Sequence, residues 1–131
     1  MTAPTPSTTS PTLLQSIRLA ILVGALFFGG VIWWLRRESP PPHPGDLGAL
    51  RFAGYGLWVI VLIVLAFVRG VFTRASMSAR RAALLIIAWA AAESLALFGG
   101  VVWFLHGDSR WYAAGMLFML AVFILFPVVR D

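Results

Sequence analysis

The sequence predicts an all-α integral membrane protein of four transmembrane helices, and the pattern that predicts the helices rules out strands. Of 131 residues, 60% are hydrophobic and only 11% are charged, and the mean hydropathy is +0.90. A water-soluble domain of this size cannot sustain that balance. Four apolar runs, 13–35, 50–68, 82–105 and 111–129, each come close to or exceed the ~20 residues that cross a bilayer core. They are continuously apolar rather than alternating, which excludes the strands of a membrane barrel. The membrane domain thus covers 13–131, preceded by MTAPTPSTTSPT (1–12), an uncharged Thr/Pro/Ser-rich tail expected to be flexible alone.

The first run, Leu13–Leu35, is expected to be a retained helix. No basic residue precedes Arg18, the run is too long for a signal-peptide core, and Trp33-Trp34-Leu35-Arg36 is no cleavage site. It leads into RRESPPPHPGD (Arg36–Asp46), a Pro-rich connector of polyproline character, and then the second run, Leu50–Val68. The third, Ala82–Leu105, is closed by a tight turn at Gly107–Arg110, and Trp111–Val129 completes the set.

Small residues recur at four-residue spacing in the first run (Ala20-Gly24, Ala25-Gly29) and the third (Ala92-Ala96-Gly100). Such stripes let helix backbones approach closely. Gly24, Gly29, Gly30, Ala92, Ala96, Gly99 and Gly100 are the expected packing residues, within the bundle or at a dimer interface. A repeat links the same two runs: LFFGGVIWWL (Leu26–Leu35) matches ALFGGVVWFL (Ala96–Leu105) at six of ten positions, and LAFVRG (Leu65–Gly70) echoes LFPVVRD (Leu125–Asp131). The expected architecture is two tandem helical hairpins related by an axis along the membrane normal.

All ten basic residues are Arg, a usage that suggests a GC-rich genome. Arg69, Arg74, Arg80, Arg81 and Arg130 share one side of the membrane with Asp131, and Arg18 lies one turn inside it. Arg36, Arg37, Arg51 and Arg110 share the other with Glu38, Asp46 and Asp108. The positive-inside rule then places both termini in the cytoplasm, by a small margin, in a bacterial cytoplasmic (inner) membrane. Trp33, Trp34, Trp103, Trp111 and Tyr112 fall at the outer helix ends, where amphipathic rings anchor in the headgroup layer. The basic pI reflects this topology, and no basic soluble surface exists for nucleic acid.

Glu93 interrupts the third run near its midpoint. A charge at such depth costs ~2.5–3.5 kcal/mol even on a lenient scale. No Arg lies at that depth, so the acid is expected to be neutral, hydrogen-bonded, or paired with another subunit. Its helical face carries Ala82, Ile86, Trp89, Ala90, Ala96, Leu97 and Gly100.

The residues around it, LLIIAWAAAESLALFGGVV (Leu84–Val102), resemble the carboxylate-bearing helix of the proteolipid c subunit of rotary ATP synthases. The resemblance implies Glu93 as a reversible proton or sodium carrier, with Ala92, Ser94 and Gly99 lining its surroundings. The rest of the chain lacks that family's Gly-rich partner helix, and its polar-loop signature is missing from RGVFTRASMSARR (Arg69–Arg81).

Catalytic signatures are absent. There is no Cys, hence no disulfide or thiolate metal site, and no metalloprotease, phosphate-loop or nucleophile-elbow motif. His43 and His106, near Asp46, Asp108 and Glu38, are candidate metal ligands, and His106 could ligate a pigment or haem from a helix end. No helix interior contains a His for in-membrane haem. The expected function is a non-catalytic accessory subunit of a respiratory, photosynthetic or transport complex, packed against other integral membrane subunits and lipid. The alternative is an ion carrier that cycles Glu93. A small multidrug-type exporter would place its acid in the first helix.

Overall fold

The computed structural model describes residues 10–74 and 78–128. It contains helices α1 (Pro11–Glu38), α2 (Ala49–Phe72), α3 (Ser78–His106) and α4 (Arg110–Leu125). Most of the N-terminal tail, together with Val129, Arg130 and Asp131, lies outside the described residues.

Three helices, α1, α2 and α3, are long and apolar enough to cross a membrane. Even α2, with 24 residues, is about 36 Å long at 1.5 Å per residue. The helices run past the apolar runs into their polar flanks. Ser10 caps α1, its side chain accepting from the Leu13 N–H at 3.2 Å, and Pro11 occupies the first turn, where a missing N–H costs nothing.

The fourth helix departs from expectation. It has 16 residues, about 24 Å, against a hydrocarbon core of about 30 Å. It ends at Leu125 rather than Val129 because Pro127 supplies no N–H and disfavours helical geometry at Phe126. The Phe126 N–H makes the last bond, to the Val122 carbonyl at 2.9 Å. The freed Phe126 carbonyl accepts from the buried Trp89 indole N–H at 3.2 Å, a satisfaction that hydrocarbon demands of every backbone group.

The expected pair of tandem hairpins is also corrected. α3 is the centre of the bundle: α4 lies along it, α1 and α2 each pack on it, and α1 and α2 make no close backbone approach to one another. Among the described residues, α3 and α4 alone form a packed hairpin. Where the α1 and α3 likeness is closest, Gly29 and Gly99 are both buried and Val31 and Val101 both exposed, while Gly100 is buried and its counterpart Gly30 is exposed.

The connector after Glu38 permits this separation by crossing the end of α3. The His43 N–H donates to the Leu105 carbonyl at 2.9 Å, meeting one of the helix's orphan acceptors. Gly107 turns the chain out of α3 at φ +80°, and a Cβ there would lie 3.1 Å from Pro41.

Close approach of α3 and α4 follows from small residues on both. Ala88, Ala92 and Ala96 are fully buried. A Cβ on Gly115 would fall 2.6 Å from the Leu95 carbonyl oxygen, and one on Gly99 would strike the backbone of Trp111 and Tyr112. Gly24 and Gly30, expected on the packing seam, are exposed with open space around them. Gly99→Ala is therefore expected to lower unfolding stability in detergent by about 2–3 kcal/mol, because backbone cannot yield as a side chain can. Gly24→Ala and Gly30→Ala should be neutral or stabilising by up to about 1 kcal/mol, from helix propensity alone. Equal losses at Gly99 and Gly24 in a denaturant titration would contradict this packing.

Candidate functional site

At the start of α4 two consecutive aromatic residues diverge around Gly99. Trp111 turns toward α2, where its ring occupies the space over Gly54, 5.5 Å from Tyr55 and 6.1 Å from Phe98 between centroids. Tyr112 turns toward α1, its ring filling the space over Gly29. Its hydroxyl donates to the Ala25 carbonyl at 2.8 Å, one turn before that glycine. Glycine at 29 and 54 admits the rings, and glycine at 99 lets their shared backbone sit low enough to reach both.

Trp111 and Tyr112, expected as headgroup anchors, are half-buried and brace α4 against its neighbouring helices. Trp103 is half-buried as well, its ring 5.6 Å from that of Tyr112. Trp33 and Trp34 are exposed, and Arg37 lies 4.6 Å over the Trp33 ring.

Glu93 is half-buried at the margin of an exposed α3 stripe formed by Ala83, Ile87, Ala90, Leu97 and Val101. Gly100, seven residues and two turns along the same face, abuts Phe28 and Ile32 of α1. The carboxyl is therefore on the α1 side of α3. It makes no hydrogen bond or ion pair with any described residue. Ser94 does not serve it, since its hydroxyl donates to the Ala91 carbonyl at 2.6 Å. Of the other expected packing residues, Gly29, Ala92, Ala96, Gly99 and Gly100 are all buried.

The connector end of the bundle holds the two histidines, with ring centroids 6.4 Å apart. No third His, Cys, Asp or Glu joins them into a metal-binding group among the described residues. Asp108 instead accepts from the Arg110 backbone N–H at 3.0 Å. Nearby in sequence, Arg36 lies 5.2 Å over the Phe104 ring, and its Nε and Nη1 are buried without a hydrogen-bond acceptor, as is His106 Nδ1.

Sequence reasoning passed over Gly54 and Gly115 and gave Arg36 a topological role alone. Gly115 had a signal in the small-residue run Ala113-Ala114-Gly115, while Gly54 and Arg36 gain their roles only from rings brought by other helices.

Removing the Tyr112 hydroxyl should cost roughly 1 kcal/mol, as for other hydrogen bonds between membrane helices. Tyr112→Phe keeps the ring over Gly29, whereas Tyr112→Ala should be clearly more destabilising because it opens a cavity as well. Comparable losses for the two variants, measured by unfolding in detergent, would show that ring packing contributes little.

Comparison with protein-family models, curated proteins and solved structures finds no match to this chain.

Proposed function

We propose that this chain is a non-catalytic, multi-pass subunit of a larger membrane assembly, respiratory, photosynthetic or transport, whose outer helices pack against partner helices and lipid. The observation that carries the reading is Glu93, which lacks a partner within the described chain and lies beside the α1–α3 seam. An acid at hydrocarbon depth is stable as a neutral hydrogen-bonding group or when paired, and a neighbouring subunit can supply the missing group.

Exposed surface supports the same reading. Phe27, Phe52 and Phe67 are about seven-tenths exposed, at 72%, 70% and 68%, and the apolar stretches of α1 and α2 are largely uncovered. Faces of this kind require lipid or other helices around them. The proposed setting is a bacterial cytoplasmic membrane with both termini inside, from the distribution of arginine.

A second reading, an ion carrier that cycles Glu93, is favoured by the same unpartnered carboxyl and by the local likeness of 84–102 to the rotor proteolipid. It needs a relay with water access from both sides. Glu93 is the sole acid in the interior of the apolar runs, which favours the subunit reading.

Purification through a C-terminal tag in mild detergent, with mass spectrometry of whatever accompanies the chain, tests the two. The subunit reading expects a defined membrane complex at fixed stoichiometry, retained by Glu93→Gln because the amide can still hydrogen-bond. A homo-oligomer whose ion flux in liposomes is abolished by Glu93→Gln would instead establish the carrier.

A further inference from the structure

Arg18 and Arg36 both belong to α1, eighteen residues apart. In an α-helix that interval is five full turns and about 27 Å, so the two arginines share one face and stand near opposite boundaries of a hydrocarbon core about 30 Å thick. Each is held on an aromatic ring of another helix: Arg18 lies 5.0 Å over Phe123 of α4, and Arg36 lies 5.2 Å over Phe104 of α3. The contact holds each guanidinium beside a ring, and a guanidinium is a fork of donors suited to an anion.

Both rings also line grooves. Phe104 belongs to one of about 310 Å³ between α1 and α3, walled by Phe28, Val31, Ile32, Leu35, Val101 and Leu105, with no polar surface. Phe123 belongs to one of about 550 Å³ between α1 and α4, lined also by Gln15, Arg18, Leu19, Leu22, Leu120 and Ile124. These volumes fall in the range of small-molecule sites, about 300–1,000 Å³. They suit an acyl chain and not a helix about 10 Å across.

Arg36 adds the decisive chemistry. Its Nε and Nη1 are buried and find no acceptor among the described residues. A guanidinium is always charged and is matched by a bidentate oxyanion. A membrane glycerophospholipid joins such an oxyanion to a chain that fits an apolar groove.

We propose that α1 seats one glycerophospholipid in each leaflet, the phosphodiester on Arg36 or Arg18 and an acyl chain in the adjoining groove. This rests on the chain's being a membrane protein and is independent of its being an accessory subunit.

Native mass spectrometry of the full chain tests the pairing, with dioleoylphosphatidylglycerol as the probe and dioleoylglycerol, which lacks the phosphate, as its control. The wild type should retain two phosphatidylglycerol molecules and neither diacylglycerol nor inorganic phosphate. Arg36→Gln and Arg18→Gln should each retain one, and the double variant none, with at least tenfold weaker binding at the altered site. Val101→Trp blocks the α1–α3 groove without touching a charge and should also leave one.

Two lipids on the double variant, equal retention of diacylglycerol, or binding of inorganic phosphate alone would overturn the inference. Release of the chain from membranes by carbonate wash would instead overturn the membrane reading itself.

Discussion

The close approach of α3 and α4 is the constraint on which the rest of the bundle depends. Inside a bilayer there is little hydrophobic gain when two helices meet, because lipid tails are as apolar as leucine. Shape and hydrogen bonding decide instead. Gly99 and Gly115 let each backbone rest against the other, with Ala88, Ala92 and Ala96 fully buried along the seam. Dispersion gained over such a contact is small per atom and large in sum.

From that contact the placement of α1 and α2 follows. The low seat of α4 on Gly99 directs Trp111 to one flank and Tyr112 to the other, and each ring enters a glycine site on a helix that never meets its counterpart. Trp58 and Phe118 add an edge-on pair at 4.9 Å between α2 and α4. Two outer helices are thereby tied to one inner pair, while the connector from Glu38 crosses above α3 and meets its terminal carbonyl through His43. Specificity comes from a few large rings set into a few missing side chains.

Sequence alone conveyed the helices far better than their arrangement. Length and continuous apolarity mark a spanning segment regardless of neighbours, so α1, α2 and α3 were legible. The early end of α4 was legible in principle from Pro127, yet Val128 and Val129 extend the apolar run past it. Glycines were harder. Gly29 and Gly30 are adjacent and chemically identical, and only the 100° between them separates a ring-filled site from open surface. The bracing role of Trp111 and Tyr112 was hidden for a related reason: a belt position and a brace position have the same sequence signature, and the brace depends on a glycine elsewhere. Glu93 was conspicuous as an acid within an apolar run, but its lack of a partner among the described residues is a property of the folded chain.

The shortness of α4 has a mechanical consequence. One flank of the bundle presents helices of about 36 Å and more, the other a helix of about 24 Å. In a bilayer, lipids could not meet both with one thickness, and thinning beside α4 would cost fractions of a kcal/mol per Å of mismatch. The protein would then act as a wedge in the plane of the membrane, drawn to thin regions and to neighbours whose own helices are equally short.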